Sequence, residues 1–356
     1  MKKSVTLLLI LLFLGWTASG VQAQFSKVGT SGAQFLKIGV GARAASLGGA
    51  FVANASDASA LYWNPAAISR FGASSLIMSY TDWFVDVSNN FVGFVAPMGS
   101  QGAVGISATY LGMGRMLVTT VDDPEGTNDF HFSAYSMAAG LTYARNMTDR
   151  LQLGVTFKYI REAIWDMTAN GFAVDVGTLY HTGFRSLRFA MVIQNFGPSM
   201  MFHGGHLYEK ISRYGNEKIR TTYEMQASSY PLPITFRMGA AYDLMDSQLG
   251  KMTVEVDGVH WNDNFEQGNF GFEYMWNKLF ALRAGYSYLP EKPVNWLPIE
   301  RKGQNNWTTR THTDNGFTAG MGLNFSLGGL KATFDYSYNA YQYLNDVNQF
   351  TFILSF

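Results

Sequence analysis

Apolar and polar residues change places at every second position along most of this chain, a period that suits an extended strand lying between two unlike environments. The final stretch, NQFTFILSF, shows it plainly: Phe350, Phe352, Leu354 and Phe356 alternate with Gln349, Thr351, Ile353 and Ser355. The same alternation marks fourteen segments, at about 74–83, 89–97, 102–111, 133–145, 151–162, 170–180, 187–196, 233–243, 250–260, 268–276, 278–288, 315–326, 329–339 and 347–356. An all-β fold is therefore expected.

One face of these segments is apolar and the other carries ions of both signs. Phe172, Val174, Val176 and Tyr180 are out of phase with Asp175, Phe189 and Met191 with Arg188, and Phe157 and Tyr159 with Lys158. Arg237, Glu255, Asp257, Glu273, Arg283, Lys331 and Asp335 stand against apolar neighbours in the same way. A soluble sandwich would show this alternation too, with its apolar face inside, so a periplasmic or secreted all-β protein remains the alternative.

Five further features favour a closed transmembrane barrel. Residues 1–23 have the layout of a secretory leader: two lysines, an apolar run from Val5 to Trp16 that is too short to span a bilayer, and small residues before Gln24. Cysteine is absent, which removes disulfide frameworks from an exported chain. The strand count is even, and the joins at Met98–Gln101, Asn146–Arg150, His181–Ser186, Leu244–Leu249, Asn277 and Leu327–Gly328 are short, while Gly112–Phe132, Gly197–Leu232 and Leu289–Asp314 lie on the opposite side. Barrels carry short periplasmic turns and long outer loops in this manner. A strand ending in a terminal Phe also resembles the closing strand of bacterial outer-membrane barrels. On this reading the bilayer is one partner, residues 24–73 form a small helical hatch in the lumen, and 74–356 form the barrel. Trp83, Trp165 and Trp261 fall at outer strand ends and Trp276 at an inner one, as aromatic girdles would.

The ions of the inner phase are five cations, Lys158, Arg188, Arg237, Arg283 and Lys331, and five anions, Asp175, Glu255, Asp257, Glu273 and Asp335. Unpaired charge in a confined interior is costly, so these are expected to pair with one another or with Arg43 and Asp57 of the hatch. The chain as a whole has 26 Lys+Arg and 26 Asp+Glu, and nothing points to nucleic acid.

The hatch sequence, IGVGARAASLGGAFVANASDASALYWNPAAIS, contains Gly39-x-Gly41-x-x-Ala44, close to a nucleotide-binding fingerprint. That fingerprint binds pyrophosphate only where a strand enters a helix within a βαβ unit, and no such unit follows. No cofactor is expected. Small residues, including Gly41, Ala42, Gly48 and Gly49, instead suit a compact plug. Asp57 is placed to cap a short helix through Ala58, Leu61 and Tyr62, and Asn64 to cap a second turn with Pro65 in its first position and Ala66 after it.

The stretch GARAASLGGAFVANASDASALYWNPAAI resembles the N-terminal signature of the PorV/PorQ family of outer-membrane proteins, relatives of the FadL fatty-acid transporters. The loop Thr119 to Phe132 is similar more weakly. The resemblance implies a fourteen-stranded barrel with an Asn-Pro-Ala hatch element, matched by Asn64, Pro65 and Ala66, and a part in type IX secretion. There PorV is associated with shuttling cargo that bears a C-terminal targeting domain, and PorQ with surface attachment. The expected role is thus binding of secreted cargo or attachment-complex partners through the outer loops, where Met113, Met116, Met200 and Met201 offer adaptable contacts. FadL-like passage of a hydrophobic small molecule is the alternative. Catalysis is not expected, because the six histidines sit in no nucleophile motif. His203 with His206, and Asp122, Asp123 and Glu125, each lack a full metal-ligand set.

Overall fold

The computed structural model describes residues 28–212, 220–289, 316–341 and 346–356. The expected leader lies outside the described residues, as does nearly all of the Leu289–Asp314 loop. Fourteen antiparallel strands close into one barrel. In chain order they are β1 (Ser75–Asp82), β2 (Ser88–Pro97), β3 (Ala103–Gly112), β4 (Ala134–Asn146), β5 (Leu151–Ile164), β6 (Met167–His181) and β7 (Arg188–Phe196). Then follow β8 (Thr235–Asp246), β9 (Gly250–Trp261), β10 (Gln267–Trp276), β11 (Phe280–Tyr288), β12 (Gly316–Leu327), β13 (Leu330–Asn339) and β14 (Val347–Ser355). Each pairs with its chain neighbours, and β1 meets β14 in the register Ser75↔Ser355 to Asp82↔Asn348, so no edge is left open.

Every segment that alternates in sequence is a strand. The hairpin of β5 and β6 runs further than the alternation suggests, because Trp165, with φ 57°, lets a two-residue turn join Ile164 directly to Met167. Two short ribbons inside the long loops, Met116–Leu117 with His131–Phe132 and Tyr208–Ser212 with Arg220–Glu224, have no sequence signature.

The outer face is apolar: Phe157 stacks on Phe172 across β5 and β6 at 5.6 Å, and Val176, Met191, Phe270 and Phe352 are similarly exposed. No helix among the described residues is long and apolar enough to cross a membrane. Trp165 and Trp276 are exposed at strand ends, but Trp261 is buried and faces the lumen, contrary to the expected girdle. Its phase explains this: it continues the inward series of Glu255, Asp257 and Val259 on β9.

Residues 28–74 fill the lumen. A single 3-10 turn at Gln34–Lys37 leads to α1 (Ala42–Ser46), then α2 (Ala60–Trp63) and a 3-10 helix at Pro65–Arg70. Asn64 caps the last of these, its side-chain oxygen accepting from the Ala66 N–H at 3.1 Å with Pro65 in the first position. Asp57 lies two residues before the cap position of α2, which begins at Ala60: its carboxylate accepts from the N–H and hydroxyl of Ser59, the residue at the cap. Both ends of the barrel wall lie on the short-turn rim, where Ser74 and Phe356 exchange backbone hydrogen bonds. The plug, however, climbs to the other rim, where Gly32 N–H donates to the Pro231 carbonyl and Lys37 pairs with Asp263 at 2.7 Å. Met200, expected as a loop contact, is buried there against Phe35, Leu36 and Leu232.

The wall makes room for this plug with glycines that sequence periodicity does not single out. A Cβ on Gly154 of β5 would lie 2.3 Å from the Pro65 carbonyl carbon, and one on Gly285 of β11 would lie 2.1 Å from the Gly48 nitrogen. Gly48 itself has φ 67°, so it is needed both for its turn and for this approach. Gly154→Val should cost about 1–3 kcal/mol or more through overpacking, measured as a lower Tm for loss of the heat-modifiable gel form. Gly258→Ala should leave Tm unchanged, since a Cβ there meets nothing within 4 Å.

Candidate functional site

The inward carboxylates and the plug together form one polar lock. Arg43 projects from α1 and grips Glu273 of β10 with two hydrogen bonds of 2.8 Å, while its third nitrogen reaches Asp57 at 3.1 Å and Ser56 at 2.8 Å. Glu273 also accepts from Arg283, its cross-strand partner on β11, at 2.6 Å. Arg283 then reaches over β12 to Asp335 of β13, again at 2.6 Å. It passes above Gly322, where a Cβ would stand 2.3 Å from the Asp335 carboxylate. The result is a continuous chain of alternating charge, Asp57, Arg43, Glu273, Arg283 and Asp335, running from plug to wall.

Three more wall anions are met by the plug or by neighbouring strands. Asp257 accepts the backbone N–H groups of Phe51 and Val52 at 2.8 and 3.1 Å, and Glu255 accepts from the Asn54 side chain at 2.5 Å. Asp175 pairs with Lys158 at 2.6 Å and holds the Asn195 N–H at 2.8 Å where β6 and β7 slip register. Of the remaining cations, Arg237 lies between the rings of Trp63 and Trp261, 5.0 and 5.3 Å from their centres. Arg188 binds Asp243 through both terminal nitrogens at 3.2 Å and meets the Asn54 oxygen at 3.0 Å. Lys331 does not join the lattice; it is exposed at the short-turn rim.

Asp243 shares the inward phase of Arg237 on β8 and was legible from it, whereas Asn54 and Asp263 were not, because plug and loop residues carry no strand period. Gly41, Ala42 and Gly49 shape the plug: Gly41 and Gly49 have φ of 87° and 78°, and the Ala42 N–H donates to Thr351 of β14 at 2.8 Å. Asn64 also donates to the Val52 and Thr178 carbonyls, stitching the Asn-Pro-Ala element to β6.

The loop candidates for metal are otherwise engaged. Asp123 receives the N–H and hydroxyl of Thr127 and the N–H and side-chain amide of Asn128, and the Asn128 backbone bond foremost holds its pKa below the usual value. His206 pairs with Asp166, and His203 is tied through its backbone to Thr168. Among the described residues no group of three or more His, Asp or Glu side chains is arranged to hold a metal ion.

Breaking one partner of a buried ion pair leaves an uncompensated charge, at a cost of roughly 3–5 kcal/mol. Arg43→Leu should therefore lower the barrel's Tm strongly and raise single-channel conductance in a planar bilayer as the plug loosens. Adding Asp57→Asn to Arg43→Leu should recover part of the lost Tm, because Asp57, whose ion-pair partner is Arg43, is the carboxylate left uncompensated, whereas Glu273 keeps Arg283.

The barrel is similar in fold to the CymD monoaromatic hydrocarbon channel, with a TM-score of 0.56 and 12% identity over 89% of this chain and 96% of that one. A Pseudomonas aeruginosa FadL homologue gives 0.53 and 12% over 90% and 98%, and the Ralstonia pickettii toluene transporter TbuX gives 0.52 and 13% over 89% and 97%. At such identities the likeness speaks for the fold alone. No curated protein matches the chain. The family model described as type IX secretion system protein PorV matches residues 21–260. That match covers more than half of the chain, and with the closed barrel it places the protein in the bacterial outer membrane as a member of the PorV family.

Proposed function

We propose that this barrel serves type IX secretion as a closed platform, binding secreted cargo or attachment-complex partners at its long-loop end. The observation that carries this reading is the packed lumen: Leu47, Phe51, Val52, Ala58 and Ile68 of the plug are 0% exposed and are held by the charge lattice around them. A conduit for hydrophobic molecules wants an apolar path, and the middle of this barrel is occupied by ions that are already paired.

The long-loop end offers what a protein partner needs. Val85, Val121 and Phe130 stand 87%, 99% and 68% exposed on loop tips, apolar groups that a contact would cover. At the same rim Met200 and Leu232 pack with Phe35 and Leu36 of the plug, and the Gly32 N–H donates to the Pro231 carbonyl, so these loop residues are tied to the barrel core.

Deleting the gene should reduce surface display of proteins with the type IX C-terminal domain, and the barrel should co-purify with them. Replacing Val121 and Phe130 together by Asp should weaken that co-purification, by about thirtyfold if the pair forms a hot spot worth about 2 kcal/mol, with the gel mobility of the barrel unchanged. Intact display combined with lost uptake of toluene or long-chain fatty acids would overturn the reading in favour of a FadL-like transporter.

A further inference from the structure

Beside the last plug residues, which reach the short-turn rim at Ser74, the lumen keeps a cavity of about 1050 Å³ that opens on the periplasmic side. Its inner end is closed by plug residues Ala53–Asp57 and its wall by the inward faces of the strands. The charges around it do not balance. Four of its cations are spoken for: Arg43 and Arg283 by Asp57, Glu273 and Asp335, and Arg188 and Lys251 by Asp243. Three others, Arg70, Lys278 and Lys331, line the same cavity and form no ion pair among the described residues. Asp149 lines an adjoining recess with Arg70 but forms no ion pair with it, and Asp246 does not line the cavity.

Geometry selects among anionic occupants. The cavity is wide enough for several residues and its inner end is lined by plug residues Ala53–Asp57, so a chain end fits it without having to double back. Of the two chain ends, an amino terminus adds positive charge to an already positive wall, whereas a carboxyl terminus adds a charge that Arg70, Lys278 and Lys331 can meet. Buried below the mouth, His181 Nδ1 and Arg188 Nε have no hydrogen-bond partner, leaving two further polar groups among the residues that line the cavity. We propose that this basic vestibule receives the acidic carboxyl-terminal tail of a periplasmic protein, giving the barrel a second docking site on the face opposite its outer loops.

The test uses the full barrel in phosphatidylcholine nanodiscs and a dye-labelled short peptide of alternating Asp and Glu with a free carboxyl terminus, followed by fluorescence polarisation. Saturable binding that weakens as salt rises and on amidation of the peptide's terminus is expected. The variant Arg70→Glu/Lys278→Glu/Lys331→Glu should bind at least about tenfold more weakly while keeping its heat-modifiable mobility. These three side chains are exposed, so the fold tolerates them; Lys278→Gln/Lys331→Gln, a milder pair, should fall between. Equal affinity of the charge-reversed variant, absence of saturable binding to the native barrel, or indifference to amidation would overturn the proposal. So would loss of peptide binding when phosphatidylglycerol replaces phosphatidylcholine, since a lipid headgroup would then be the occupant. None of these results bears on cargo display at the long-loop end, so this inference and the proposed platform role fail separately.

Discussion

Charge enclosed by a hydrocarbon-facing wall has little water to turn to, and this barrel answers it by sharing three wall carboxylates, Glu273, Asp257 and Glu255, with the plug. Glu273 is the clearest case, held by Arg283 from the next strand and by Arg43 from the plug. Asp257 depends on two backbone N–H groups of the plug, and Glu255 on Asn54. Without residues 28–74 the wall would carry orphaned anions, and without the wall the plug would have little to fold against. The small helices of the plug are too short to be stable alone, so their conformation follows from the cavity they complete.

The apolar and charged phases of the strands were legible because a strand has only two faces, and a residue's parity decides which one it occupies. Parity carried Asp175, Arg283 and Asp335 to the lumen, and it carried Trp261 there as well, against the expectation that a tryptophan at a strand end faces lipid. The capping of the Pro65 turn by Asn64 was legible from local chemistry alone. Less was visible where contact is non-local. The path of the plug from one rim to the other, the pairing of Lys37 with Asp263, and the glycines that admit Pro65 and Gly48 depend on neighbours more than eighty residues away in the chain. Met200 misled for the same reason: a loop position is exposed only if nothing packs over it.

Likeness in fold to hydrocarbon channels and membership of the PorV family rest on the same architecture. The wall is common to both, with short turns below and long loops above. The centre of this barrel is filled by charged groups held by partners and by close-packed small residues. Its two rims differ, with apolar loop tips exposed on one side and an excess of cations lining the cavity on the other.

The seam between β1 and β14 has one more consequence. The strands that close the barrel are the first and the last in the chain, while the plug precedes both. The lumen therefore does not exist as an enclosed space until the whole chain has been delivered, and a plug added afterwards would have to thread through a finished cylinder. The simplest order is that the growing sheet curls around residues 28–74 and shuts over them, so that the plug acts as the former on which the cylinder is wound.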